Sequence, residues 1–386
     1  MTERLYYQDC YLREFRAQVV DTADDGRRVY LDRTAFYPTS GGQPFDTGTL
    51  GGAMVIDVID EGDRIAHVLD APIPAGEVAA RIDWARRFDH MQQHTGQHLL
   101  SAVWEELFHI PTLSFHMGAE SSNIELGAPS LSARQMEQVE ERCAEIMREG
   151  RAVAIGFDDA SSDLGLRKAS ERTGTLRVIS IDGVDRSACG GTHVGSAAEI
   201  GSILLRKTEK IRGNTRLDFV CGLRALRQAR ADFRTLQEIS RQIALPASEA
   251  PAWAAAQMER LRDLEKTNRK LASEGMEREG RDLWSATAPD PDGIRRVTQT
   301  GAIDDSVRTR AQAFCRQGKA IFLAISNEPP AILLAASPDT GVHAGERVKA
   351  AVTSAGGRGG GNAALAQGTF PPGSDLQVAA GSLLLP

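Results

Sequence analysis

The residues best suited to chemistry lie in two short stretches far apart in the chain. His94-Thr95-Gly96-Gln97-His98 carries two imidazoles at i and i+4. On a helix these share one face, close enough to hold a single metal ion. Cys189-Gly190-Gly191-Thr192-His193 adds a thiol and a third imidazole, and its glycines let a loop bring both donors to one point. Three nitrogens and one sulfur suit Zn²⁺. His94, His98, Cys189 and His193 are therefore the expected ligands of one zinc ion per chain, and the expected catalytic set. Either half alone is ordinary; the two matched pairs together are specific. His90 continues the helix face at i−4 and reads as a packed or solvated histidine, or as a support for the ligands. His116, in Leu113-Ser114-Phe115-His116-Met117-Gly118, is a candidate proton carrier, since histidine titrates near neutrality. Cys10, Cys143, Cys221 and Cys315 have no such partners and read as buried thiols. The chain has no His-Glu-x-x-His, no Gly-x-x-x-x-Gly-Lys-Ser/Thr and no Gly-x-Ser-x-Gly, which counts against a zinc protease, a P-loop enzyme and a serine esterase.

Such a set needs a helix, a loop and a scaffold that joins them. The apolar spacing of Phe88, Met91, Leu99, Leu100, Val103 and Leu107 predicts a helix with Asp83 as its cap. A second helix is expected over 132–150, where Ser132 and Gln135 have the spacing of a capping box. Strands are expected at 152–157, 176–181 and 202–206, making residues 83–222 an α+β domain around the metal. Residues 1–82 carry short apolar runs punctuated by Asp24-Asp25-Gly26, Gly41-Gly42, Gly51-Gly52 and Glu61-Gly62-Asp63, the pattern of a small β-barrel or sandwich. Leu226, Ala229, Phe233, Leu236, Ser240 and Ile243 step alternately by three and four; Pro246 and Pro251 interrupt, and Leu261, Leu264 and Leu271 resume. An antiparallel helical hairpin over 223–285 follows. The remainder, 286–386, reads as a C-terminal α/β module with buried strands at 321–325 and 331–335, a helix over 343–352 and a glycine-dense run at 356–361. The fold class is multidomain α+β.

At 386 residues the chain has room for two to four domains of ~100–200 residues. Its 41% hydrophobic and 25% charged residues describe a folded globular protein. Five scattered cysteines argue against a disulfide scaffold. No apolar run is long enough to span a bilayer, and Met1-Thr2-Glu3-Arg4 does not open a signal peptide. A cytoplasmic protein without a membrane partner is expected. The net charge, 45 − 52 = −7, excludes a globally basic nucleic-acid binder but leaves room for a local basic patch. Arg206, Lys207, Lys210, Arg212 and Arg216, around Glu209 and a turn expected at Gly213-Asn214, form the best such patch.

The paired motifs resemble the editing-domain signature of alanyl-tRNA synthetase and the free-standing AlaX proteins. The likeness extends to Phe36-Tyr37-Pro38-Thr39-Ser40-Gly41-Gly42-Gln43-Pro44 near the start, and to Ser187-Ala188-Cys189-Gly190-Gly191-Thr192-His193-Val194 with Glu199-Ile200-Gly201. It continues to Gly356-Gly357-Arg358-Gly359-Gly360-Gly361-Asn362, similar to the glycine-rich C-terminal module of the synthetase. Because the chain opens directly on the barrel, the expectation is the long form of AlaX: editing domain, hairpin and module, acting in trans.

That resemblance implies hydrolysis of the ester joining a wrong amino acid, serine or glycine, to tRNA(Ala), because a pocket sized for alanine cannot strongly exclude near-isosteres. Thr39, Ser40, Gly41 and Gly42 are the candidate substrate-binding residues. A hydroxyl there could pair with a seryl side chain, while the plain alternative is a hairpin turn in which the glycines supply unusual backbone angles. The basic patch, with Arg358 beside its glycine amides, is the candidate tRNA contact. A homodimer through the hairpin or the C-terminal module is compatible with the pattern. Two rivals stand: proofreading of seryl-tRNA(Thr) in the threonyl style, and a zinc-stabilised RNA-binding protein without catalysis.

Overall fold

Strict alternation builds the first domain. Along Glu77–Ile82, Val78, Ala80 and Ile82 are buried while Glu77, Ala79 and Arg81 are exposed, the period-two pattern of a strand with one face on a core. This strand pairs with both Gly48–Leu50 and Glu14–Ala23 and so closes a six-stranded barrel. Around the barrel the order is Glu14–Ala23, Arg28–Leu31, Ile65–Leu69, Ala53–Asp60, Gly48–Leu50 and Glu77–Ile82. Val29, Leu31, Val55, Val58, Ile65 and Leu69 fill it. The molecule is a computed structural model describing residues 1–384 except Ser162, Ser170 and Arg172; the last two residues of the expected C-terminal module lie outside the described residues.

Helix α1, Trp84–Phe108, starts where the sequence places it, with the Asp83 carboxylate accepting from the Arg86 amide at 3.3 Å. Such a cap is worth ~1 kcal/mol. From His90 to Trp104 every residue of α1 is buried, so the helix is the axis of its domain rather than a surface element. Around it lie two antiparallel sheets. One has the order Ile203–Ile211, Asn214–Cys221, Ser122–Leu126, Thr112–Met117; the other runs Val153–Asp159, Thr175–Ile181, Asp185–Ala188. Helix α2, Ala133–Glu149, carries the expected capping box between Ser132 and Gln135. Leu99, Val103, Trp104, Ile124, Val139, Ile146 and Phe219 knit these elements into one core.

The chain divides into two compact units, Met1–Gln242 and Ile243–Pro386. The first contains nearly all of helix α3, Gly222–Ile243, and the second contains helix α4, Ala250–Ala286. Apolar residues of the expected seam are solvent-facing on both helices: Leu226, Phe233 and Leu236 on α3, and Leu261, Leu264 and Leu271 on α4.

Within the second unit a five-stranded sheet runs Arg295–Thr300, Ala320–Asn327, Pro330–Ala336, Leu365–Thr369, Arg358–Gly361. Only the first pair is parallel. The sheet is therefore mostly antiparallel, because the short turn between Ala320–Asn327 and Pro330–Ala336 forces a hairpin. Ile321, Leu323 and Ile325 enter one core and Phe322 and Ala324 another, which is why these strands read as unbroken apolar runs. The glycine run forms the edge strand. A side chain at Gly361 would strike the Leu365 carbonyl at 2.3 Å, and one at Gly359 would strike Gly368 at 2.6 Å, so close strand approach demands glycine there. Among the described residues no helix is long and apolar enough to cross a membrane.

Candidate metal centre and active-site cleft

The two sequence halves meet. One donor atom from each of His94, His98, Cys189 and His193 lies within 4.8 Å of all the others. The Cys189 Sγ stands 3.4 Å from His94 Nε2 and 3.4 Å from His193 Nε2. Helix α1 supplies the first pair by its periodicity. The strand Asp185–Ala188 delivers Cys189 to the second pair, and the loop that follows turns back across α1. A side chain at Gly191 would lie 2.1 Å from the His94 ring, so only glycine lets the loop pass this close.

Each imidazole is held through Nδ1. The Gln43 Oε1 accepts from the Thr192 amide at 3.1 Å, and its Nε2 donates to Thr192 Oγ1 at 2.8 Å. With the amide oriented in this way, His94 Nδ1, 2.8 Å from the same Oε1, must carry a proton and donate. His98 Nδ1 lies 2.9 Å from Asp185 Oδ2, and that carboxylate also takes Arg167 Nε at 2.7 Å. His193 Nδ1 lies 3.2 Å from Thr95 Oγ1. All three rings thus direct Nε2 toward the thiol, as ligands whose outer nitrogens are fixed by neighbours do. The donor set fits a tetrahedral zinc ion chemically.

Electrostatics agree with that fit at Cys189 and His193, whereas metal binding would have to displace a proton from His98. Burial opposes ionisation of Cys189, yet His94 and His193 beside it hold the thiol well below its ordinary pKa. Burial and the neighbouring His94 lower His193 to about 3. For His98 burial also works downward, but hydrogen bonds to Asp185 and Cys189 outweigh it and lift the ring to about 9. The buried His90 falls to about 3 through burial and the positive charges of Arg86, Arg224 and Arg87. It lies outside the cluster.

A cleft of about 540 Å³ opens over the cluster and is lined by His94, His98 and Cys189 but not His193. Ser40 and Gly41 form part of its wall. They belong to a two-residue hairpin turn, closed by Ser40 N to Gln43 O at 3.1 Å and Gln43 N to Ser40 O at 2.9 Å. Both Gly41 and Gly42 have positive φ there. Gly42 lies against Phe115, whose carbonyl a side chain would meet at 2.7 Å. Thr39 does not line the cleft; its Oγ1 accepts from the Phe45 amide at 3.1 Å. His116 is exposed on Thr112–Met117, while its neighbour Phe115 lies against the His94 ring at 5.4 Å. Successive strand residues face opposite ways, so the structure does not bring His116 to the cluster.

In the basic patch, Arg206 is bound to Asp232, Lys207 lies 3.7 Å from Asp218 and Arg216 lies 3.6 Å from Glu209. Lys210 and Arg212 are exposed. The turn falls on Arg212-Gly213, both with positive φ, one residue before the expected place. Arg358 is exposed on the edge strand of the second unit.

Residues 176–217 match the family model of the threonyl and alanyl tRNA synthetase second additional domain. The alanyl-tRNA editing protein AlaX-L of Pyrococcus horikoshii is 32% identical, the match covering 95% of this chain and 94% of that one. The chain belongs to the alanyl-tRNA editing protein family. Aarsd1-B of Xenopus laevis, also named an alanyl-tRNA editing protein, is 36% identical over 59% of this chain; the chain spans 60% of that relative's length. The alanine–tRNA ligase of Korarchaeum cryptofilum is 29% identical over 96% of this chain and 43% of its own.

Several residues that hold this cluster together escaped sequence reasoning. Gln43 had the best available signal, since it directly follows the two glycines of the segment that carried the resemblance. Thr95, between the paired histidines, and Asp185, four residues before Cys189, offered only proximity. Arg177 gave none: its guanidinium donates to the carbonyls of Tyr7 at 2.9 Å, Cys189 at 2.7 Å and Gly191 at 2.9 Å, pinning the metal loop through its backbone.

Proposed function

We propose that this protein hydrolyses the ester linking serine or glycine to tRNA(Ala), as a trans-acting editing deacylase with one zinc ion held by His94, His98, Cys189 and His193. The observation that carries the reading is a converged donor set at the floor of an open cleft. Three of the four ligands face the cleft, so the centre is accessible to an ester rather than sealed as a purely structural site. Zinc bound there would supply Lewis acidity toward an ester carbonyl or a water molecule.

The chain's own groups do the rest. Gln43, Asp185 and Thr95 fix the imidazoles. The Ser40-Gly41 turn walls the cleft beside the cluster, and its polar backbone and the Ser40 hydroxyl offer partners to a small polar acyl group, with Thr39 bracing the segment through Phe45. Lys210 and Arg212 at the hairpin tip, with Arg206, Lys207 and Arg216 around them, offer a positive surface for the tRNA, and Arg358 offers another on the second unit.

The test is single-turnover deacylation of seryl-, glycyl- and alanyl-tRNA(Ala) and of seryl-tRNA(Thr). Fast loss of a seryl or glycyl ester on tRNA(Ala) with alanyl-tRNA(Ala) spared is the expected result. A preference for seryl-tRNA(Thr) would move the protein to the threonyl style, and absence of hydrolysis by folded, zinc-loaded protein would leave an RNA-binding role.

A further inference from the structure

Phe157 is 52% exposed and joins none of the hydrophobic cores formed by the described residues. A lone exposed phenylalanine is ordinary; the position of this one is not. It lies on the edge strand Val153–Asp159 directly opposite Arg177, and paired residues project from the same face of a sheet. The Arg177 guanidinium in turn stands 5.5 Å from the ring centre of Tyr7. Phe157, Arg177 and Tyr7 therefore share one surface.

That surface borders the candidate active site. Phe157, Tyr7, Thr175 and Arg177 line a groove of about 340 Å³ that also touches Cys189 and Gly190. Tyr7, Cys189 and Gly190 also line the metal cleft, so groove and cleft meet at a metal ligand. On the cleft's wall stands Lys168, which is exposed and makes no ion pair among the described residues.

We propose that Phe157 and Tyr7 form a stacking platform for the unpaired nucleotides that precede the esterified 3′ end of the RNA, with Lys168 facing their phosphates. Single-stranded ends are recognised by stacking splayed bases on aromatic rings and by cations along the backbone. An ester seated over Cys189 leaves the preceding nucleotides at the junction, where Tyr7 lines both groove and cleft and Phe157 lines the groove beside it. This assignment rests on the reading of the substrate as an aminoacyl-tRNA and adds where its end is held.

The test is a binding cycle with uncharged tRNA, read by fluorescence anisotropy, using intact tRNA and tRNA lacking its single-stranded 3′ nucleotides. Removing those nucleotides should weaken binding to the unaltered protein by at least about fivefold, the scale of one base–aromatic stack. Phe157→Ala should weaken intact tRNA by a similar factor and shortened tRNA by less than about twofold, so that the two changes are not additive. Phe157→Trp should retain affinity, which separates stacking from a folding defect. Equal losses on both tRNAs, or no loss on intact tRNA, would overturn the platform. Hydrolysis is not the readout, so a failure of the deacylase reading would appear separately, as intact binding without turnover.

Discussion

The two halves of the metal cluster are positioned by different physics. His94 and His98 inherit their alignment from helix α1, whose start is locked by Arg87. That guanidinium and Asp46 are fully buried as an ion pair at 2.5 Å, with further bonds to the carbonyls of Cys10 and Ala35. Cys189 and His193 sit on a glycine loop with no such frame, and Arg177 holds that loop by its carbonyls. Three side chains then strap the halves together: Gln43 between His94 and Thr192, Thr95 of α1 to His193 and the Val194 amide, and Asp185, on the strand that leads into Cys189, to His98. A helix half is periodic and local. A loop half is only as rigid as the distant groups that grip it.

The comparison predicts a graded series of losses. Cys189→Ala removes a proposed zinc ligand outright and should lower deacylation by at least about 10³-fold, beyond the 10–100-fold typical when a ligand's partner is lost. Gln43→Ala should fall within that lower range in metal affinity, by about 10–100-fold, because it loosens one ligand and the strap to the loop at once. Metal titration against a competing chelator reads it; an affinity equal to that of the unaltered protein would show that the halves need no strap. Arg177→Gln acts on the loop half alone. It should lower the Tm of the metal-free protein and also weaken zinc binding, so that zinc raises the Tm of the variant by less than it raises that of the unaltered protein. An equal zinc-induced rise in both proteins would mean that Arg177 serves the sheet rather than the loop. His116→Ala, at the bottom of the series, should change the deacylation rate by less than about twofold, the scale of a surface substitution away from the site. A larger fall would place His116 in the reaction after all.

The same contrast explains what the sequence could show. Imidazoles four apart, an Asp83 cap and a Ser132–Gln135 box are short-range statements, and helices α1 and α2 followed from them. The barrel followed from turn spacing and alternation. Gln43, Asp185 and Arg177 act on residues they meet only after folding, across separations that no local pattern encodes. His116 shows the converse: a histidine near the site in sequence faces away because it is out of phase with Phe115 by one residue. The turn at Arg212-Gly213 shifted by one for a similar reason, since strand register fixed it rather than residue type.

The most direct test of the account is to strip the protein of metal, add zinc back in substoichiometric steps, and follow seryl-tRNA(Ala) hydrolysis alongside bound zinc. Activity should rise in proportion to zinc and saturate at one ion per chain, with no recovery in Cys189→Ala. Full-rate hydrolysis by metal-free protein, or saturated zinc binding without hydrolysis of any aminoacyl-tRNA(Ala), would contradict it.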